Sequence, residues 1–155
     1  EYNFGNGTGI TAGLAQAEAL AIFGREGVDL ATRFGNFRAG TPIEDAFKLY
    51  LDYDGNGSRI EGSSVAASSS LFDAVGAYAI EGTDGTTYVL LFNKDTLTRD
   101  VAVNTGLAGG ATGELYRFDA KQRLGAIGGA ALGADGSVTL ELPKRSATLL
   151  VVQGN

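Results

Sequence analysis

The sequence predicts two kinds of structure in series: the last strand–helix units of a (β/α)8 (TIM-type) barrel over residues 1–57, then an antiparallel β-sandwich over residues 58–155. Three observations carry this prediction. Apolar residues follow a helical spacing across residues 10–50 and change to short strand-like runs from residue 64 onward. Those runs recur about every 8–12 residues between glycine-rich turns, the rhythm of a sandwich. The chain also opens on a carboxylate, Glu1, followed by the aromatic, glycine-rich stretch Tyr2-Asn3-Phe4-Gly5-Asn6-Gly7 and then a helix. That order is strand end, loop, helix, and in an α/β barrel the C-terminal strand ends carry the chemistry.

The first helix is expected from about Ile10 to Phe23, with Thr8 or Thr11 as its cap. Leu14, Ala17, Leu20, Ala21 and Phe23 form its apolar stripe, and Gly24 and Gly27 mark its end. Val28–Phe34 is short and largely apolar, so it is expected to be a strand. Thr41-Pro42-Ile43-Glu44 is a helix start, with Thr at the cap, Pro at the first position and acid in the first turn. This helix runs through Leu51 and stops near Asp54-Gly55-Asn56-Gly57. Strands follow at Val75–Ile80, Thr86–Phe92, Asp100–Val103, Gly113–Phe118, Ser137–Leu142 and Ala147–Val152. Asp84-Gly85 and Asp135-Gly136 supply turns between strands. The glycine-rich stretches Gly106–Gly113 and Gly125–Gly136 are expected to be loops and bends.

A parallel barrel needs eight strand–helix units. Residues 1–51 offer the end of one strand, a helix, one strand and a helix, so they are expected to complete a barrel whose other strands belong to a longer polypeptide. Alone, the 155-residue chain is expected to be inactive and to expose the apolar faces of residues 10–51.

Composition narrows the chemistry. Twelve basic against eighteen acidic residues leave a net charge of −6, which argues against nucleic acid as a partner and gives no affinity for an anionic membrane surface. Apolar runs such as Leu149–Val152 fall far short of the ~20 residues a membrane span needs. With no Cys and no His, thiol nucleophiles, Ser-His-Asp catalysis and His-ligated metals are out of reach. Carboxylates, Tyr, Lys or an oxygen-held ion remain.

Glu1 is either an ordinary solvated terminus or a catalytic carboxylate at a strand end. In retaining glycoside hydrolysis two carboxyls stand about 5–5.5 Å apart, one as nucleophile and one as acid/base. Tyr2, Phe4, Phe34 and Phe37 are candidate aromatic platforms for a sugar, though Phe34 and Phe37 fit core packing equally well. Asp52-Tyr53-Asp54-Gly55-Asn56-Gly57-Ser58 matches the front of a calcium loop at Asp52, Asp54 and Asn56. Ser63 stands where that loop needs its bidentate Glu, so a helix-ending turn is the preferred reading and a structural calcium the weaker one. Gly5-Asn6-Gly7-Thr8-Gly9 could cradle a phosphate but lacks a Lys-Ser/Thr pair, and a plain loop is preferred. Tyr78, Tyr88, Phe92, Tyr116 and Phe118 are assigned to the inter-sheet core in preference to a glycan-binding face.

The first half resembles the end of the catalytic domain of glycoside hydrolase family 44, endo-acting β-1,4-glucanases and xyloglucanases. The resemblance rests on Glu1-Tyr2-Asn3-Phe4-Gly5, Ala15-Gln16-Ala17, Ile22-Phe23-Gly24-Arg25-Glu26-Gly27-Val28 and Ala31-Thr32-Arg33. It continues through Ala46-Phe47-Lys48-Leu49-Tyr50, Tyr53-Asp54-Gly55 and Ser64–Ser69. It is close to about residue 70 and is one of layout beyond, including the strand end Leu91-Phe92-Asn93-Lys94. It implies a (β/α)8-type barrel joined to a β-sandwich, with Glu1 as nucleophile and the acid/base Glu on an earlier strand that has no counterpart here. The family's loop aromatic is often Trp; Phe4 replaces it. The implied substrate is a cellulose-type polysaccharide or xyloglucan, with no required cofactor and a secreted enzyme whose signal peptide would lie upstream. The other implied partner is the missing N-terminal part of the barrel. An arabinofuranosidase-like enzyme of the same layout, and a non-catalytic sandwich that braces the barrel or binds glycan, remain the alternatives.

Overall fold

Helix α1 spans Ile10–Arg25 and helix α2 spans Pro42–Leu51 in the computed structural model, which describes residues 1–4, 7–35, 38–107 and 109–154. The capping residue of α1 is Gly9, not Thr8 or Thr11, so the cap position has no side chain to bond the helix N-terminus. The Thr11 hydroxyl instead accepts a hydrogen bond from Arg145. The helix ends as its glycines predict. Gly27 takes a left-handed conformation (φ 67°), and the Val28 N–H reaches back to the Phe23 carbonyl at 2.9 Å. Such a turn satisfies carbonyls left open by the last helical residues. At the start of α2 the Thr41 hydroxyl donates to the Arg38 carbonyl, and the Glu44 carboxylate accepts from the Gly40 N–H at 2.7 Å.

The two helices cross at Gly13 and Pro42. A Cβ on Gly13 would lie 2.5 Å from the Pro42 Cβ and 2.6 Å from its carbonyl oxygen, so only glycine permits this approach. The Tyr50 hydroxyl adds a hydrogen bond to the Ala17 carbonyl at 2.7 Å, and burial of that hydroxyl pushes its pKa well up.

Among the described residues eight strands follow: β1 (Ser63–Val65), β2 (Val75–Glu81), β3 (Thr87–Asn93), β4 (Arg99–Asn104), β5 (Thr112–Phe118), β6 (Gly125–Ala131), β7 (Ser137–Leu142) and β8 (Ser146–Val152). Six of them form one antiparallel sheet in the order β1-β2-β3-β8-β5-β6, and β4 pairs with β7 in a second. The central strand β8 is buried along its whole length because both faces of the large sheet are covered.

The two faces carry different side chains. Val75, Val89, Leu91, Leu115, Leu150 and Val152 pack against Val103, Leu140 and Leu142 of the small sheet. Tyr78, Tyr88, Phe92, Tyr116 and Phe118 point the other way, to Leu14, Ala17, Ala46, Leu49 and Tyr53 of the helical layer. The aromatic residues therefore form a helix–sheet core, not the inter-sheet core expected from sequence. Phe92, Phe118, Leu49 and Leu149 are completely buried there. Burial of each such side chain contributes about 1.5–3 kcal/mol, so this contact anchors the helices to the sheet.

Two expected elements change. Gly125–Ala131 is strand β6, not a loop: as an edge strand it needs one row of hydrogen bonds, and its register shifts at Leu115/Tyr116 of β5. Val28–Phe34 is not a strand. It reduces to one isolated parallel bridge between Arg33 and Tyr2.

Candidate functional site

The bridge places the start of the chain beside residues 32–34. The Tyr2 N–H donates to the Thr32 carbonyl at 2.9 Å, and the Phe34 N–H donates to the Tyr2 carbonyl at 2.8 Å. Asn3 adds a side-chain bond from Nδ2 to the Phe34 carbonyl, also 2.9 Å. Two extended segments joined through a helix and paired in parallel make the smallest β-α-β arrangement. The pairing brings Tyr2 and Phe34 side by side, with Glu1 and Phe4 close to them along the chain.

Their surroundings differ. Glu1 is exposed. Phe4 and Phe34 are 48% and 61% exposed, with ring surface open to solvent. Tyr2 is half-buried on the helix side. Gln16 Nε2 donates to its hydroxyl at 2.6 Å, and the Phe23 ring meets it edge-on at 5.0 Å. Phe4 leans on the same tyrosine at 5.5 Å. Phe37 and the loop residues Gly5 and Asn6 lie outside the described residues.

The Asp52–Ser58 segment is a turn. Asp52 Oδ1 accepts from the Gly57 N–H at 2.6 Å, and Asp54 Oδ1 accepts from the N–H groups of Asn56 and Ser58 at 2.8 and 3.1 Å. The Ser58 hydroxyl takes Asp54 Oδ2 at 2.7 Å. These bonds, led by the one from the Asn56 N–H, lower the Asp54 carboxyl to about 2. Three backbone N–H groups thus point at the oxygens a calcium ion would need, a poor fit for the ion. Among the described residues no group of three or more acidic side chains is arranged to hold a metal.

Ion pairs clamp the helices to the sheet. Arg123, in the β5–β6 connection, binds Asp45 of α2 at 2.5 Å and Glu44 at 3.0 Å. The Gly40 N–H first, then Arg123 and Lys48, hold the Glu44 carboxyl down at about 2. Lys94, just beyond β3, meets Glu18 of α1 at 3.0 Å, and the Tyr78 hydroxyl donates to the same carboxylate at 3.2 Å. The Arg25 guanidinium sits over the Tyr78 ring, 5.5 Å from its centre. Sequence reasoning missed Arg123, Lys94 and Gln16. None of the three stands at a position whose local pattern marks it out; each is defined by contacts between distant segments.

A groove of about 580 Å³ runs between β1–β3 and β4. Val65, Ala77, Ala79, Val89, Val101 and Val103 line it, and none of its lining residues is aromatic.

No family model matches the sequence. The curated beta-mannanase/endoglucanase A of Caldicellulosiruptor saccharolyticus is 33% identical over 123 residues, covering 77% of this chain and 9% of the relative. The crystal structure of a bifunctional glucanase–xylanase from a metagenome library superposes with a TM-score of 0.92 at 32% identity, over 99% of this chain and 30% of that one. A family 44 endoglucanase from Clostridium thermocellum gives 0.90 at 28% identity, over 98% of this chain and 31% of that one. The chain resembles the C-terminal portion of glycoside hydrolase family 44 endoglucanases. It spans under a third of each of these solved structures, and nearly all of it superposes on them. The mostly antiparallel sheet with its two covering helices is accordingly a β-sandwich module of the family 44 type.

Proposed function

We propose that the chain supplies the nucleophile of a retaining glycoside hydrolase that cleaves internal β-1,4-glucosidic bonds of cellulose-type polysaccharides or xyloglucan. The observation that carries this reading is the parallel bridge of Tyr2 to Arg33. It pairs Tyr2 in parallel with Arg33, in keeping with the end of a barrel strand, and the family resemblance of Glu1–Gly5 assigns the nucleophile to the residue before it. The relatives named as endoglucanase and glucanase–xylanase support the substrate class.

In this reading residues 1–57 are the closing units of the (β/α)8 barrel and residues 58–155 the sandwich. The exposed apolar residues Val28 and Leu30 fit that assignment, because further barrel strands would cover them. Glu1 attacks the anomeric carbon and the glycosidic bond breaks, with its oxygen protonated by an acid from the remainder of the polypeptide. Water then opens the glycosyl-enzyme ester, giving its proton to the same group, now a base. Phe4 and Phe34 offer open ring faces for stacking, and Tyr2 backs Phe4. No cofactor is required by these steps. The enzyme acts on polymers outside the cell and is secreted.

The same chain braces the barrel. Arg123 with Asp45 and Glu44, and Lys94 with Glu18, favour this second role over glycan binding by the sandwich, whose aromatic residues are committed to the helix–sheet core. An arabinofuranosidase-like specificity is the remaining alternative.

Turnover of carboxymethylcellulose and xyloglucan by the full-length polypeptide tests the proposal. Glu1→Gln is expected to lower kcat by at least roughly a thousandfold, the scale of removing a covalent nucleophile. Near-parental turnover in that variant rejects it.

A further inference from the structure

We infer that Gln16 is a positioning residue for Glu1, holding Tyr2 so that the neighbouring carboxylate faces the reaction and not the helices. This rests on the assignment of Glu1 as nucleophile.

Side chains of an extended segment alternate between two faces. Tyr2 faces α1, where Gln16 and Phe23 hold it, so Glu1 and Asn3 belong to the opposite face. The hydrogen bond from Gln16 and the edge contact with Phe23 fix Tyr2 on that face, and through the backbone they fix the direction in which the Glu1 side chain leaves the segment.

Gln16 is an unusual residue for its place. It is 1% exposed, on the side of α1 that it shares with Phe23, round from the face of Leu14, Ala17 and Ala21. A buried amide is costly unless it is hydrogen-bonded, so a position needing only volume would favour an apolar residue. Among the described residues its hydrogen-bond partner is the Tyr2 hydroxyl, and its Oε1 has none. The amide therefore serves Tyr2. The ring contacts with Phe23 and Phe4 set the plane of the tyrosine, while the hydrogen bond sets its depth against α1.

The consequence falls on the chemical step. A displacement of about 1 Å in a reacting group can cost roughly a hundredfold in rate. A clamp that limits rotation of the first segment should act on kcat and leave KM nearly unchanged.

The test uses the full-length polypeptide with Gln16→Leu, Tyr2→Phe and the double variant. Each single change keeps approximate volume and removes one side of the hydrogen bond. We expect kcat to fall about tenfold in each with KM within about twofold. The double variant should be no slower than the slower single one, since one interaction is lost. The rate at which a 2-deoxy-2-fluoroglycosyl fluoride labels the enzyme, followed by intact mass, should fall by the same factor. If Gln16→Leu fails to fold, Tyr2→Phe decides. Turnover and labelling within twofold of the parent in these variants, with Glu1→Gln inactive, would overturn the positioning role and leave Glu1 as nucleophile. An active Glu1→Gln would overturn both.

Discussion

Two glycines of α1 show how far a single Cβ matters. Gly13 touches Pro42 where the helices cross, whereas a Cβ on Gly24 would meet nothing within 4 Å. Gly13→Ala should therefore destabilise the protein by about 1–3 kcal/mol, the range for forcing an atom into a packed contact. Gly24→Ala should be neutral or stabilise by up to about 1 kcal/mol, because alanine restricts the unfolded chain. Urea unfolding of the two variants checks the pair, and equal effects would contradict the crossing as described. At the same scale Tyr50→Phe should cost about 1 kcal/mol through its lost hydrogen bond to Ala17.

Among the elements, α2 depends most on charge. The Glu44 carboxyl lies lower in the folded chain, at about 2, than its ordinary value of 4.5. A depressed folded value means stability that is complete above the ordinary value and lost as pH falls toward the folded one. Asp54, lowered from 3.8 to about 2, acts in the same direction. The melting temperature should thus fall between about pH 4.5 and pH 2, and Glu44→Gln should flatten part of that decline. An unchanged acid limb in the variant would show that the Gly40 and Arg123 contacts contribute nothing. Much at this scale was legible beforehand. The Thr41-Pro42 start of α2, the Asp84-Gly85 turn and six strands followed from local chemistry. The β6 strand did not, since Gly125-Ala126-Ile127-Gly128-Gly129 lacks β-branched density and its edge position becomes evident only once β5 is in place. Val28–Phe34 misled in the opposite sense. Its composition suits a strand, but a strand exists only with partners, and here it has one bridge.

For the whole molecule the sequence predicted two kinds of structure but not how they join. The short apolar runs along β3 and β8 marked them as strands of a core. The runs could not tell that the aromatic face meets helices and the aliphatic face meets β4 and β7, because both choices give the same period. The candidate site was legible to the extent that Glu1, Tyr2, Phe4 and Phe34 could be named; the Gln16 contact needed the fold. The acid/base partner lies on no residue the resemblance places in this chain. Activity should therefore require the longer polypeptide, and the chain of residues 1–155 should release no reducing sugar from xyloglucan. The central claim is that Glu1 forms the covalent bond to sugar. Peptide mapping of the full-length polypeptide, trapped with a 2-deoxy-2-fluoroglycosyl fluoride and digested, tests this most directly. The account predicts one sugar equivalent on the peptide containing Glu1-Tyr2-Asn3-Phe4, and a stoichiometric label on any other carboxylate would contradict it.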